Sequence, residues 1–75
     1  MSTRYAVIIE REEKGCSAYV PDLPGCIAAG NTEQEVRTLI KEAIEFHLEG
    51  MRHHGERIPE PTSICEYGEA VLPAA

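Results

Sequence analysis

The sequence has few of the residues that bind nucleic acid. The chain has seven Lys and Arg and thirteen Asp and Glu, which gives a formal net charge of −6. DNA- and RNA-binding proteins usually carry a basic footprint. There is no Trp, one Phe and three Tyr, and none is interleaved with basic residues as in a base-stacking platform. We therefore predict no direct nucleic-acid binding. The acidity suits a basic protein partner, or serves solubility alone.

Paired cysteines and long apolar runs are also missing. The three cysteines, Cys16, Cys26 and Cys65, are odd in number and form no C-x-x-C pair. No signal peptide and no apolar stretch of membrane length is visible. We therefore expect reduced thiols, a cytoplasmic location and no membrane association. Residues 1–75 make one small domain, and a chain of this size often needs oligomerisation for support.

Groups that catalyse reactions or bind metals are equally scarce. Asp22 is the only aspartate, and its place beside a proline is explained by side-chain hydrogen bonding to backbone. A two-metal nuclease needs clustered carboxylates, and the apolar strand at residues 5–9 has none. His47 fits the edge of a core, and the adjacent His53 and His54 suit a helix end better than a chelating pair. We predict no catalytic residue, no metal site and no cofactor.

Hydrophobic patterning predicts an α+β domain of β-β-β-α-β order. Residues 5–9, 16–20 and 26–29 are strand-like. A helix follows, with Thr32 and Glu35 as its capping box and Gly55 near its end. Residues 64–72 alternate loosely and predict a fourth strand. One helix covers one face of the sheet, so we expect another chain to cover part of the other face. The apolar stripe of the predicted helix comprises Val36, Leu39, Ile40, Ala43, Ile44, His47, Leu48 and Met51.

Residues 19–26, with the sequence YVPDLPGC, predict a rigid bend between the second and third strands. Pro21 lacks an N–H group and so interrupts strand pairing. Pro24 and Gly25 suit the two central positions of a type II turn, in which the second position needs a positive φ. Pro21, Pro24 and Gly25 are therefore predicted to be the structural residues of the bend.

Together, these motifs resemble those of the HicB family of small antitoxins. The resemblance covers about residues 5–63, and the YVPDLPGC run is its most distinctive part. Gly30-Asn31-Thr32, the helix with its KEAIE segment, and Ile58-Pro59-Glu60-Pro61 follow in the family's order.

The resemblance implies a partial RNase H-like fold that lacks the nuclease carboxylates. It implies a non-catalytic protein that sterically blocks a HicA-like toxin, a small basic mRNA interferase, and that forms dimers or tetramers. Full-length members usually carry a C-terminal DNA-binding domain. The present sequence ends at Ala75 without a basic cluster, so we expect a single HicB-like domain that does not bind an operator.

Partner contacts are predicted at the bend, at Tyr19, Asp22, Leu23 and Gly25, because a rigid exposed bend suits an interface. Two other functions stay open. The chain could be an orphan oligomeric HicB-like protein without toxin or DNA-binding activity. Alternatively, it could be a degenerate RNase H-like enzyme that processes RNA. The presence or absence of a small basic neighbouring gene separates the antitoxin from the orphan protein. An assay of RNA cleavage with Mg²⁺ or Mn²⁺ tests for the enzyme.

Overall fold

The computed structural model describes residues 3–74 and shows the predicted α+β class. Three strands, β1 (Ile8–Glu12), β2 (Gly15–Tyr19) and β3 (Ile27–Gly30), precede one helix, α1 (Glu33–His53). The strands form an antiparallel sheet in the order β1-β2-β3. The helix lies on one face of this sheet and leaves the other face open.

The first strand lies further along the chain than the sequence pattern predicts. It begins at Ile8 and continues through charged residues to Glu12, which pairs with Gly15 across a two-residue turn. Residues 10–12, which follow the predicted strand at residues 5–9, therefore also belong to β1. The strand continues this far because the turn is tight and brings the charged residues into register with β2. Residues 5–7 approach the sheet without belonging to a strand.

The core lies between the sheet, the bend and the helix. Its buried side chains come from β2, from residues 20–26 and from the inner face of α1. Half-buried apolar residues of the helix stripe and of residues 5–9 pack around it. A core this small leaves little reserve of stability. Within residues 3–74 the six buried residues are Ala18, Val20, Leu23, Cys26, Val36 and Ile40.

The helix begins at the predicted capping residue. Thr32 Oγ1 accepts a hydrogen bond from the N–H of Glu35 at 3.1 Å. The Glu35 carboxylate reaches back, but it accepts from the N–H of Asn31, at 3.4 Å. In a standard capping box it would accept from the N-cap residue itself. Both bonds satisfy backbone donors that the helix leaves free.

The helix ends close to the predicted glycine. Gly55 N–H donates to Arg52 O at 3.1 Å and Glu56 N–H donates to Met51 O at 2.8 Å. This pair of bonds is the Schellman motif, which satisfies the last carbonyl groups. His54 Nδ1 also lies 2.7 Å from Gly50 O, so this histidine serves the helix end as predicted. No helix within residues 3–74 has the length and apolarity that crossing a bilayer requires.

The predicted fourth strand is wrong. Residues 56–74, which we call the tail, contain no regular secondary structure. Four large apolar side chains between residues 64 and 72 are 82% to 103% exposed. Gly68 and two glutamates interrupt the alternation, so the segment offers no continuous apolar face to hold it in a sheet. The exposed residues are Ile64, Tyr67, Val71 and Leu72.

Candidate functional site

Two consecutive turns make the bend between β2 and β3. Leu23 N–H donates to Val20 O, and Cys26 N–H donates to Leu23 O, both at 3.0 Å. Gly25 has φ 87°, the value that the second central position of a type II turn requires. A third bond, from Val20 N–H to Cys26 O at 3.2 Å, closes the bend across its base.

The bend does not present all of its predicted contact residues to solvent. Leu23 is 1% exposed and belongs to the core, so it is not available to a docking partner. Asp22 is half-buried, whereas Gly25 is exposed. Tyr19 precedes the bend and is 41% exposed. The bend is therefore not wholly exposed, because the Leu23 side chain fills the space beneath the two turns.

Asp22 holds the tail against the bend. Its carboxylate accepts four hydrogen bonds, which we call the Asp22 clamp. The donors are the N–H and hydroxyl of Thr62, at 2.9 and 3.0 Å, and those of Ser63, at 3.0 and 2.9 Å. The N–H groups of Ser63 and then Thr62 are the main reasons that the pKa of Asp22 falls from 3.8 to about 2. These bonds favour the charged carboxylate.

The sequence pattern does not reveal this clamp. It predicts that Asp22 accepts hydrogen bonds from nearby backbone, but the observed donors lie 40 and 41 residues further along the chain. A Thr-Ser pair shortly after a Pro-x-Pro segment is the only available signal. Tyr5 adds a second attachment, because its hydroxyl donates to Pro59 O. Burial, and next the charge of Asp22, raise the pKa of this hydroxyl.

We expect Asp22→Ala to release the tail from the bend. All four clamp bonds disappear, and the amides of Thr62 and Ser63 lose their acceptor. Hydrogen exchange of these two amides should rise about tenfold or more, as for locally opened segments. The control is Glu66→Ala, which removes an exposed carboxylate from the same tail. Unchanged exchange in Asp22→Ala would show that the clamp does not hold the tail.

The clamp should also open in acid. The attached form has the lower pKa, about 2 against 3.8. The clamp therefore contributes stability in full above about pH 4 and loses that contribution as the pH falls through about 2. NMR shifts of the Thr62 and Ser63 amides, followed between pH 5 and 1.5, should report this transition. In Asp22→Ala the transition should be missing.

Residues 3–74 contain no cluster of three or more His, Cys, Asp or Glu that could hold a metal ion. The three cysteines are free thiols. Cys26 is buried, and burial raises the pKa of its thiol, which leaves it protonated at neutral pH. His47 is half-buried on the helix stripe.

The open sheet face has an apolar centre and an acidic side. Ala18 is buried under the helix, and neighbouring strand residues alternate between faces. Ile8, Tyr19 and Ile27 are in direct register and therefore form one row across the opposite face. Glu10 and Glu12 follow Ile8 along the same side of β1. The strand residues of this open sheet face are Ile8, Glu10, Glu12, Gly15, Ser17, Tyr19, Ile27 and Ala29.

The sequence singled out Tyr19 but missed Ile8 and Ile27 as its neighbours. Ile27 is 70% exposed. Apolar composition alone assigns both isoleucines to the core. Strand register could have found them, since pairing of Ile9 with buried Ala18 places Ile8 on the other face.

A protein-family model describes the same stretch of chain. The "HicB_like antitoxin of bacterial toxin-antitoxin system" matches residues 5–71.

Two similar proteins come from a phage and an archaeon. A 14.9 kDa protein of the rep-hol intergenic region of Haemophilus phage HP1 is 43% identical over 63 residues, which are 84% of this chain and 47% of the phage protein. The chain thus spans about half the length of that relative. UPF0150 protein Ta0767 of Thermoplasma acidophilum is 44% identical over 57 residues, 75% of this chain and 83% of the relative.

A solved structure supports the same assignment. A chain from the "HicA3 and HicB3 toxin-antitoxin complex" superposes with a TM-score of 0.68 at 32% identity. The match covers 80% of this chain and 70% of the solved chain. At this identity the likeness concerns sequence as well as fold.

Proposed function

The chain belongs to the HicB-like antitoxin family of bacterial toxin–antitoxin systems, and we propose that it binds and sterically blocks a small basic HicA-like mRNA interferase. The observation that carries the proposal is the likeness to a chain of a solved toxin–antitoxin complex, which extends over 80% of this chain. The proposed place of action is the cytoplasm, where the toxin's mRNA target lies.

Acidity supports a basic partner. The net charge is −6, and the carboxylates include two on the open sheet face. Opposite potentials speed the encounter of two proteins and suppress wrong partners. A toxin that binds RNA needs a basic surface, and an antitoxin that covers this surface gains from the same charges.

We propose that inhibition involves no chemical step by this chain. The carboxylates with described hydrogen bonds serve structure: Asp22 clamps the tail, Glu35 caps the helix, and Glu33 pairs with Arg11 and Arg37. An RNase H-like ancestry remains a prediction from the resemblance. No direct contact with nucleic acid is proposed.

Self-association is a second part of the proposal. The tail exposes four large apolar side chains, and burying them between copies would remove their apolar surface from water. We therefore propose a homodimer or tetramer in which tails contribute to the contacts between copies. Light scattering of the purified chain measures this directly, and a monomer at micromolar concentration would contradict it.

Co-expression tests the function. The small basic protein encoded beside this chain is induced in a bacterial host, alone or together with the chain. We expect arrested growth with the neighbour alone, restored growth with both, and co-purification of the two proteins. The matched control is Val36→Asp, which places a charge at a fully buried position and should unfold the chain. A neighbour that is not toxic, or that the chain neither binds nor neutralises, would overturn the proposal.

A further inference from the structure

We propose that the toxin docks on the open sheet face, with the row of Ile8, Tyr19 and Ile27 at the centre of the interface. The inference rests on the proposed function and adds to it the face of the chain that makes the contact. The sequence predicted partner contacts at the bend. In the structure, however, Leu23 is buried and the Asp22 carboxylate is hydrogen-bonded to the tail. Of the bend candidates, Tyr19 lies in the proposed interface.

The central row has the form of a binding anchor. Tyr19 and Ile27 are 41% and 70% exposed, and they stand opposite each other in paired strands. Strand pairing fixes their backbone, so little conformational entropy is lost on binding. Binding energy concentrates in central aromatic and aliphatic side chains that a polar rim shields from water.

The charges of this face select a basic occupant. Its strand residues include Glu10 and Glu12 and no lysine or arginine. Arg11 lies on the other side of β1 and pairs with Glu33 of the helix at 3.2 Å. A second copy of this chain, also at −6, would add like charges to the contact, whereas a basic protein supplies opposite ones.

The chain's own tail borders this face and leaves it open. The Asp22 clamp holds the tail beside residues 5–9, where Cys65 Sγ lies 3.7 Å from Val7 O. Ile64 lines a surface cleft together with Ile8. The tail thereby adds Ile64 to the apolar row at the β1 edge, and Ile27 stays 70% exposed.

Another exposed aromatic lies on the helix. Phe46 is 82% exposed, and Glu42 and Glu49 lie one turn away on either side of it. A single exposed apolar side chain is common on protein surfaces, whereas the sheet row joins three strands. Phe46 and Glu49 therefore provide matched controls for substitutions on the sheet.

The test measures binding of the small basic neighbour, in a catalytically inactive form, to the full chain by titration calorimetry. We expect Ile27→Arg to raise the Kd at least about 30-fold, because it places a cation at a central anchor. Tyr19→Ala should act in the same direction without adding charge. Glu10→Arg should raise the Kd about five- to tenfold at low salt and slow association. Circular dichroism and light scattering check that each variant keeps its fold and its oligomeric state.

The controls distinguish failure of the proposed docking face from failure of the proposed function. Phe46→Arg and Glu49→Arg should change the Kd less than about twofold, since both lie on the helix, away from the proposed interface. Wild-type affinity in Ile27→Arg and Tyr19→Ala overturns the sheet face and leaves the proposed function intact. If these two variants change the oligomeric state but keep the wild-type affinity for the toxin, the sheet face serves self-association. This result also overturns the proposed docking of the toxin on this face. A wild-type chain that does not bind the neighbour overturns the proposed function, and this inference with it.

Discussion

Replacing Leu23 by alanine should lower the free energy of unfolding by about 2–5 kcal/mol, the range for a fully buried leucine. Leu23 is 1% exposed, and its N–H and C=O groups take part in the two turns of the bend. The surrounding turns restrain the backbone, so the cavity collapses poorly. A domain of this size has a total stability of only about 3–5 kcal/mol. Much of the variant should therefore be unfolded at 25 °C, as measured by urea denaturation followed by circular dichroism.

The tail supplies a control with the same chemical change. Leu72 is 82% exposed, so Leu72→Ala should change the free energy of unfolding by less than about 0.5 kcal/mol. Both variants lose the same atoms, and only the packing around them differs. A similar small change in Leu23→Ala would mean that the bend is not part of the core.

The second large effect is expected from Gly15→Ala at the start of β2. Gly15 has φ 133°, and a Cβ there would lie 2.5 Å from Gly30 O. The carbonyl belongs to the backbone of β3 and cannot move aside as a flexible side chain could. Strain at this φ and the overpacking add to about 2–4 kcal/mol of destabilisation. Thermal unfolding should show a markedly lower Tm.

Gly25→Ala separates the two contributions. Gly25 has φ 87°, but a Cβ there would meet no atom within 4 Å. This variant should suffer only the backbone strain, about 1–2 kcal/mol. We therefore expect Gly15→Ala to be the less stable of the two. Equal stabilities would indicate that β3 shifts easily and that the contact with Gly30 carries no cost.

Local features of the fold could be predicted from the sequence because neighbouring residues decide them. The hydrogen bond from Glu35 N–H to Thr32 needs only the start of one helix. The turn at Pro24 and Gly25 needs only the φ values of two residues. The order of three strands and a helix follows from hydrophobic patterning in the same way.

Contacts between distant segments could not be predicted in this way. The loose alternation of residues 64–72 suggested a strand, but pairing depends on what the neighbouring edge offers. The partners of Asp22 lie 40 residues away, and the sequence gives no register between the two segments. Only part of the candidate site could be predicted from the sequence. Tyr19 was recognised as a large amphipathic residue, but its place beside Ile8 and Ile27 depends on strand register.

The Asp22 clamp has a consequence for the order in which the chain folds. The β1–β2 hairpin closes a turn of two residues, whereas the clamp closes a loop of about 40. Closing a longer loop costs more entropy, and contacts between distant residues slow folding. The tail should therefore attach last, after the sheet, bend and helix have formed. In refolding experiments the amides of the helix should gain protection from exchange before those of Thr62 and Ser63.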